Sequence, residues 1–368
     1  MTEIIHSDIH VPPEWEAAVA QVLATEGVIL VLGGPDAGKS TFCRLALERA
    51  LAAHQALAFI DGDLGQSHLG PPGTLGLNLY PPRRLDDCGL QPDALSFIGQ
   101  TSPPGKMLEL VVGLTRLARV ARDRGRRKIV VNTSGFITGS PARRLKLAKA
   151  QALAPNLIVG LERQGELEPI LAPLRQFCPH TLTLPVSPQA QIKPFAQRFL
   201  YRQERFAAYF TASRPQQINL EGLIWLDFPF GQGPPLPPVQ FQGLQALVAA
   251  PLLHAETAAG TLHLLLAGRL SAPEAARIRE QLGQEKVSWT PWSHLEMRLV
   301  GLLDAQFLCL VLGLLLASPW LRQQIVLHTP LPARLLAQVK LCRLGRLRLD
   351  LSGQELPRPS ATLPRLGL

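Results

Sequence analysis

Residues 27–53, GVILVLGGPDAGKSTFCRLALERALAA, decide the fold of this chain. The apolar run at 28–32 predicts a buried strand, and apolar residues at helical spacing from Lys39 onward predict a helix that ends near Ala53. The segment between them, Gly33 to Ser40, matches the pattern Gly-x-x-x-x-Gly-Lys-Ser/Thr. A strand, a glycine-rich loop and a helix in this order predict a P-loop that holds the phosphates of ATP or a similar nucleotide.

The P-loop residues have separate predicted roles. Glycines let backbone N–H groups turn toward the phosphates, and the helix N-terminus adds the positive end of its dipole. Lys39 is predicted to reach the β- and γ-phosphates, Ser40 to ligate Mg²⁺, and Thr41 to lie near the α-phosphate. The complete predicted nucleotide-binding set is Gly33, Gly34, Pro35, Asp36, Ala37, Gly38, Lys39, Ser40 and Thr41.

A second motif, DGDLGQ at 61–66, follows the apolar run at 56–60. Because they follow a strand, Asp61 and Asp63 are predicted to point into the crevice where open α/β sheets bind ligands. One would hold Mg²⁺ through water, and the other would accept the proton of an attacking hydroxyl. An ordinary acidic turn is the alternative, which the position about one βα unit after the P-loop disfavours. The run at 129–131 ends in Asn132, where many P-loop ATPases carry an acid, so the magnesium-associated carboxylate is predicted to be Asp61 or Asp63.

The order of strands and helices predicts two domains. Apolar runs alternate with helical segments through residues 1–213, which predicts an α/β P-loop NTPase domain with a mostly parallel sheet. Beyond the proline-rich stretch at 231–238, short apolar runs punctuated by glycine predict a smaller, mostly β C-terminal domain over 214–368. The longest run, 305–317, is too short to span a bilayer and is expected to form two buried strands.

Composition narrows the classes of protein and partner. No uncharged apolar stretch reaches the roughly 20 residues of a membrane span, and the N-terminus is polar, so we expect no membrane association and a cytoplasmic location. The 5 cysteines are scattered and never form a Cys-x-x-Cys pair, which predicts neither a disulfide framework nor a zinc site. The net charge of +9 favours a polyanionic partner.

Further motifs, taken together with those above, resemble the polynucleotide 5′-hydroxyl kinase family. They are PPEW at 12–15, GKST at 38–41, DGDLGQ at 61–66 with PPG at 71–73, TSP at 101–103 and NTSGF at 132–136. The family includes the kinase subunit of the eukaryotic pre-mRNA cleavage machinery, nucleolar pre-rRNA processing kinases and archaeal polynucleotide kinases. The resemblance runs in order across residues 12–210, and a weaker likeness to the archaeal members continues at 299–304 and 347–353. It implies transfer of the γ-phosphate of ATP, with Mg²⁺, to the 5′-hydroxyl end of RNA or DNA.

The resemblance also implies roles for individual residues. Residues 193–210 are similar to the family's lid, a basic helix whose arginines would neutralise charge on the transferred phosphoryl group. Phe136 stands where the family usually has tryptophan, which leaves a smaller ring for stacking on a base. The implied catalytic residues are Lys39, Asp61, Asp63, Arg198 and Arg202, with Lys193 and Arg205 as further lid cations. The implied nucleic-acid-binding residues are Gln66, Thr133, Phe136, Arg143, Arg144 and Lys193.

Several residues keep a second interpretation at this stage. Arg198 and Arg202 are alternatively a solvated charged face, and His68 is predicted to be a surface loop histidine in preference to a catalytic one. The basic stretch 116–128 is predicted to be a surface helix end and loop, and segment 101–106 is equally a turn or a substrate contact. Lys146 and Lys149 follow the 132–136 motif, as Arg143 and Arg144 do, so all four are candidates for phosphate contacts.

Two other functions compete with the kinase. The first is an ATP-binding structural subunit of an RNA-processing complex, and the second is a P-loop ATPase or GTPase switch that acts on a protein partner. Intact Lys39, Ser40 and acidic residues favour an active enzyme, and the absence of an Asn-Lys-x-Asp signature disfavours a GTPase. RNA and DNA acceptors, the role of the second domain and the identity of any protein partner stay open.

Overall fold

The computed structural model describes residues 10–81, 92–219, 222–283, 286–316 and 324–357. Its contacts divide the chain into two compact units, Met1–Phe206 and Ala207–Leu368.

The first unit alternates strands and helices over most of its length. Its last helix, α6, contains the boundary between the units. In chain order the elements are α1 (Pro13–Ala24), β1 (Gly27–Gly33), α2 (Lys39–Ala52), β2 (Leu57–Gly62), β3 (Thr74–Tyr80), β4 (Ala94–Phe97), α3 (Met107–Asp123), β5 (Lys128–Thr133), α4 (Ser140–Leu153), β6 (Leu157–Glu162), α5 (Glu168–Arg175), β7 (Thr181–Pro185) and α6 (Phe195–Phe210).

A seven-stranded sheet forms the centre of this unit, with the strand order β4-β3-β2-β5-β1-β6-β7. The pairs β2–β5, β5–β1, β1–β6 and β6–β7 are all parallel. They confirm the predicted mostly parallel α/β class. Strands β3 and β4 add two antiparallel pairs at one edge and were not predicted. The close approach of the 69–70 loop requires a glycine in β3, because a Cβ on Gly76 would lie 2.5 Å from the Cβ of Leu69.

Helix α1 packs against α2 and against Gly38 of the P-loop. The ring of Trp15 is buried and meets Phe42 of α2 edge to face, with ring centroids 5.6 Å apart. Its indole N–H donates to the carbonyl oxygen of Pro185 at 2.8 Å, which fixes the ring. A Cβ on Gly38 would come within 2.8 Å of this ring, and Gly38 also has a φ of 84°. The P-loop therefore needs glycine at this position for both space and backbone conformation.

The second unit is rich in strands but also contains helices. A six-stranded sheet has the order β8-β15-β14-β13-β16-β9, and a three-stranded sheet has the order β10-β11-β12. The elements are β8 (Arg214–Asn219), β9 (Ile224–Leu226), α7 (Pro238–Gln245), β10 (Leu252–Ala258), β11 (Thr261–Leu266), α8 (Ala272–Leu282), β12 (Lys286–Pro291), the 3₁₀ turn Trp292–His294, β13 (Arg298–Leu303), β14 (Cys309–Leu315), β15 (Gln324–Thr329), α9 (Ala333–Leu336) and β16 (Leu341–Arg348).

These strands confirm the predicted mostly β C-terminal domain and correct two details. The described part of the run 305–317 forms one strand, β14, after a tight turn in which the carboxylate of Asp304 accepts the N–H groups of Gln306 and Leu308. Helix α8 was not predicted, although Ser271 and Glu274 form a capping box at its start.

No helix within the described ranges is both long and apolar enough to cross a membrane. Cys43, Cys178, Cys309 and Cys342 are buried free thiols. Cys88 lies outside the described residues.

Candidate nucleotide and acceptor site

The P-loop lies at the carboxyl end of β1 and leads directly into α2. Lys39 is the first residue of α2 and is almost fully buried, and its ammonium donates to the carbonyl oxygen of Gly34 at 2.5 Å. Burial lowers the pKa of Lys39, which places a poorly solvated cation at the base of the loop. A polyphosphate bound in the loop would bring negative charge directly to this ammonium.

A cleft of about 700 Å³ opens over the P-loop. Four segments form its walls: the P-loop and the start of α2, the loop after β2 with the loop before α3, the loop after β5, and the segment that leads into α6. The lining residues are Pro35, Asp36, Ala37, Gly38, Lys39, Ser40, Thr41, Arg44, Asp63, Gly65, Gln66, His68, Thr101, Ser102, Pro103, Pro104, Ser134, Gly135, Phe136, Ile137, Thr138, Ala190, Gln191, Lys193, Arg198 and Arg202.

Asp61 is fully buried and does not line this cleft. Its carboxylate accepts hydrogen bonds from Asn132 Nδ2 at 3.1 Å and from the backbone N–H groups of Asp63 at 3.2 Å and His68 at 2.7 Å. Burial raises the pKa of Asp61. The prediction that both carboxylates face the crevice is wrong for Asp61, because β2 continues to Gly62 and keeps Asp61 inside the sheet between β3 and β5.

Asp63 is the carboxylate that faces the cleft. Its Oδ1 accepts the backbone N–H groups of Gly65 and Gln66, both at 3.1 Å, so the loop holds the carboxylate in one orientation. No hydrogen bond from a described residue reaches its other oxygen, Oδ2. Asp63 therefore presents an available acceptor oxygen to the cleft.

Asn132 connects the buried carboxylate to the P-loop. Its Nδ2 donates both to Asp61 and to Ser40 Oγ, at 3.1 and 3.2 Å. Its Oδ1 is buried without a hydrogen-bond partner in the part of the chain that the structure describes. Ser40, Asn132 and the carboxylate of Asp61 thus form a continuous polar group beneath the cleft.

The lid segment contacts two walls of the cleft. Arg198 forms an ion pair with Asp36, and the backbone N–H of Lys193 donates to the same carboxylate at 3.1 Å. Tyr201 donates to the carbonyl oxygen of Ser67 at 2.8 Å. Arg202 is mostly buried and lines the cleft, with its guanidinium carbon 5.8 Å from the centre of the Phe199 ring. The geometry places Arg198 and Arg202 in the cleft and disfavours a purely solvated charged face.

Arg205 differs from the other lid cations. Its guanidinium donates to the carbonyl oxygen of Gly70 at 2.9 Å, and Arg205 does not line the cleft. It therefore attaches α6 to the loop after β2, which stabilises the position of the lid helix.

The predicted nucleic-acid-binding residues divide into two groups. Gln66, Phe136 and Lys193 line the cleft together with the exposed His68. Arg143 and Arg144 are exposed on α4 and do not line it, so any contact they make with nucleic acid lies outside the cleft.

Thr133 cannot contact a nucleic acid end in this conformation. It is fully buried in β5, where its hydroxyl donates to the carbonyl oxygen of Val31 at 2.8 Å and accepts from Lys146 at 2.9 Å. The predicted contact is therefore replaced by an internal one, because the strand extends through Thr133 before the loop begins.

Lys146 and Lys149 were predicted as candidates for phosphate contacts. Both are fully buried on α4, which contradicts that prediction. Lys146 donates to the carbonyl oxygen of Ser134 at 2.6 Å and thereby fixes the loop that carries Phe136. Lys149 Nζ has no hydrogen-bond partner among the residues that are described. Burial lowers the pKa of Lys146 well below its usual range and that of Lys149 to about 7.

Replacing Lys149 by methionine is expected to stabilise the protein at pH 7, because it removes a buried amine without a partner. The unfolded lysine titrates near pH ~10.4, whereas the folded one titrates at about 7. Between these values the unfolded chain binds a proton that the folded chain does not, so wild-type stability rises with pH. The advantage of the variant should therefore shrink by roughly 1 kcal/mol per pH unit from pH 7 toward pH 10.

Chemical unfolding of Lys149→Met and wild type at several pH values measures this difference. Lys286→Met, at an exposed position, is the matched control and should show no such trend. A difference in unfolding free energy that stays constant between pH 7 and 10 would contradict the assignment of a buried, neutral Lys149.

The fold and the cleft define a P-loop phosphotransfer domain, in which a phosphate-binding loop, a carboxylate and lid arginines share one cavity. Comparison with known proteins gives the family. Residues 33–212 match the family described as mRNA cleavage and polyadenylation factor CLP1 P-loop. Residues 33–212 therefore form a domain of the CLP1 P-loop family.

Relatives match most of the chain. The polyribonucleotide 5′-hydroxyl-kinase of Pyrococcus abyssi is 29% identical over 350 residues, which cover 94% of this chain and 95% of that protein. The corresponding protein of Pyrococcus furiosus is 27% identical over 348 residues, with the same two coverages. The polyribonucleotide 5′-hydroxyl-kinase Clp1 of Xenopus laevis is 32% identical over 196 residues, which cover 50% of this chain and 44% of that protein.

A solved structure shares the fold. The wild-type Clp1p–Pcf11p complex contains a chain that matches 91% of this protein and 78% of its own length, with a TM-score of 0.57 and 13% sequence identity. At this identity the likeness supports the fold alone.

Proposed function

We propose that this protein is an ATP-dependent polynucleotide 5′-hydroxyl kinase. The observation that carries the proposal is the presence, in one cleft, of a P-loop with a buried lysine and of Asp63, whose Oδ2 is available as an acceptor. The names of the archaeal relatives, which match nearly the full chain, support the same activity.

In the proposed reaction, the P-loop binds the phosphates of ATP. The N-terminus of α2 and its backbone N–H groups face the phosphates, and Lys39 exchanges the carbonyl oxygen of Gly34 for a phosphate oxygen. The terminal 5′-oxygen of the nucleic acid attacks the γ-phosphorus in line as the bond to the β–γ bridging oxygen breaks. ADP leaves, and the phosphoryl group stays on the 5′-oxygen.

Asp63 is the proposed general base. It lines the cleft, and its Oδ1 is already occupied by two backbone N–H groups, so Oδ2 accepts the proton of the attacking hydroxyl. Asp61 is a poor base because it is buried and its two oxygens already accept three hydrogen bonds.

The residues near Ser40 fit a magnesium ion. Mg²⁺ prefers oxygen ligands and commonly binds through one or two carboxylates together with substrate phosphates and water. Ser40 Oγ and Oδ1 of Asn132, which accepts no hydrogen bond from a described residue, would supply such oxygens together with Asp63 on the cleft side, and the buried Asp61 would contribute its charge. When bound, Mg²⁺ would offset the charge of the phosphates.

The lid and the loop after β5 complete the proposed site. Arg198 and Arg202 would neutralise charge that develops on the transferred phosphoryl group. Gln66 and Phe136 line the cleft on the acceptor side, where the Phe136 ring would stack on a terminal base. Lys193 adds a cation at the lid entrance.

We propose RNA as the main acceptor, because the relatives are named polyribonucleotide kinases. DNA ends share the reacting hydroxyl and are included as a test substrate. A cytoplasmic location stays a prediction of the sequence. The solved neighbour was determined in complex with Pcf11p, which makes a protein partner of this chain worth testing by co-purification.

The activity is tested by incubating the purified protein with Mg²⁺, γ-labelled ATP and 5′-hydroxyl oligonucleotides of RNA and DNA. The same oligonucleotides with 5′-phosphates are the matched controls. We expect label on the 5′-hydroxyl ends alone, with RNA labelled faster than DNA. ATP binding without transfer would favour a structural subunit, and ATP hydrolysis that is independent of an acceptor would favour a switch.

A further inference from the structure

Asp36 connects the P-loop to the lid segment. It is a non-glycine residue with a φ of 53°, in the left-handed region that most side chains avoid. Its Oδ2 accepts the guanidinium of Arg198 and the backbone N–H of Lys193. Its own carbonyl oxygen accepts from Arg163 at 3.0 Å. The phosphate-binding loop therefore holds the start of the lid through one carboxylate.

The lid is also attached to the opposite wall of the cleft. Tyr201 and Arg205 donate to backbone oxygens of Ser67 and Gly70. These contacts fix the middle of α6 against the loop after β2, whereas Asp36 fixes its first turn against the P-loop. The two attachments together determine where Arg198 and Arg202 stand above the phosphate site.

A carboxylate in a phosphate-binding loop has an electrostatic cost. It repels the polyphosphate that the loop binds, and this repulsion is reduced only when a cation pairs with it. The ion pair with Arg198 is partly shielded from water, with side chains 27% and 13% exposed for Arg198 and Asp36. A guanidinium paired with a carboxylate is held in a defined plane, in contrast to a freely rotating lysine.

We propose that Asp36 is a positioning residue that orients Arg198 over the phosphates for phosphoryl transfer. This inference rests on the proposed kinase function. Nη2 of Arg198 is directed at Asp36 and its Nε donates to the carbonyl oxygen of Lys193 at 3.2 Å, so the N–H groups of Nη1 are available to the transferred phosphoryl group. Preorganisation by Asp36 removes the need to order the arginine during the reaction. Asp36 itself neither contacts the acceptor nor transfers a proton.

The test is a double-mutant cycle of Asp36→Asn, Arg198→Gln and the combined variant, with kcat and the KM for ATP measured for each. Asp36→Asn should lower kcat roughly 10- to 100-fold, with an unchanged or lower KM for ATP because a negative charge near the phosphates is lost. Arg198→Gln should lower kcat on the order of 100-fold or more. If Asp36 acts through Arg198, the combined variant should match Arg198→Gln alone.

Two results would overturn the proposal. Equal losses from Asp36→Asn in the presence and absence of Arg198 would show that Asp36 acts independently. A gain in kcat for Asp36→Asn would show that the ion pair holds Arg198 away from the phosphates. Glu204→Gln is the matched control, since it removes an exposed carboxylate from the same helix and should leave both constants unchanged.

Hydrogen exchange gives a readout that does not need catalysis. Asp36→Asn should increase amide exchange several-fold at Lys193 and through residues 195–198, with little change near Arg205. If the wild type labels no acceptor, the kinase proposal is wrong, whatever hydrogen exchange shows. If exchange in Asp36→Asn is unchanged, the positioning role of Asp36 is wrong, whatever the labelling assay shows.

Discussion

Replacing Lys39 by alanine is expected to lower kcat for phosphoryl transfer on the order of 10²- to 10³-fold. Lys39 is the buried cation at the base of the P-loop, and its ammonium already donates to a loop carbonyl oxygen at 2.5 Å. Negative charge develops on the β–γ bridging oxygen as its bond to the γ-phosphorus breaks, so the loss is larger in the transition state than in the bound ground state. The decrease should therefore appear mainly in kcat, measured with saturating ATP and a 5′-hydroxyl RNA.

The same substitution removes a hydrogen bond inside the loop, so folding must be measured beside activity. Thermal unfolding of Lys39→Ala without nucleotide should be close to that of the wild type, and nucleotide should stabilise the variant less. Lys106→Ala is a useful comparison, because it removes a second buried lysine next to the cleft wall that pairs with Glu109. Undiminished turnover in Lys39→Ala would remove the P-loop assignment.

Local patterns predicted the nucleotide half of the site. A buried parallel strand is an apolar run, and the P-loop needs glycines and a lysine at fixed spacing, so both features can be recognised in a short segment. The predicted runs at 28–32, 56–60 and 129–131 correspond to β1, β2 and β5. Strands β3 and β4 were missed because they pair antiparallel and follow β2 without the intervening helices that separate the parallel strands of the sheet.

The roles of polar residues at strand ends depended on where each strand stops. Asp61 and Asp63 are alike in sequence, yet β2 extends through Gly62 and separates a buried carboxylate from one in the cleft. The same effect buries Thr133 at the end of β5. One residue of additional strand changes the surroundings of a side chain, and sequence patterns do not define strand ends this finely.

Tertiary contacts determined the remaining differences. Lys146 and Lys149 follow a loop rich in polar residues, which is typical of a surface, but α4 turns both toward the interior. The link between Asp36 and Arg198 joins residues 162 positions apart, and neither residue type predicts the other. Charged residues whose partners are distant in sequence therefore required the structure.

Replacing Asp63 by asparagine is expected to lower kcat roughly 10²- to 10⁴-fold while ATP binding is kept. The substitution preserves shape, because the amide oxygen can still accept the backbone N–H groups of Gly65 and Gln66. The amide nitrogen then replaces Oδ2, and a neutral N–H₂ group cannot accept the proton of the 5′-hydroxyl. Single-turnover transfer to RNA, measured beside nucleotide affinity, separates the chemical step from binding.

Asp61→Asn is the comparison that makes this prediction specific to the base. Asp61 accepts three hydrogen bonds inside the sheet, so its amide variant should lose stability as well as activity, whereas Asp63→Asn should unfold like the wild type. A rate for Asp63→Asn that recovers at high Mg²⁺ would identify Asp63 as a metal ligand. A full rate at ordinary Mg²⁺ would show that the reaction does not need Asp63 as its proton acceptor. A low rate that Mg²⁺ does not restore, in a stable variant that still binds ATP, is the result that general-base catalysis requires, because only the proton acceptor has then been changed.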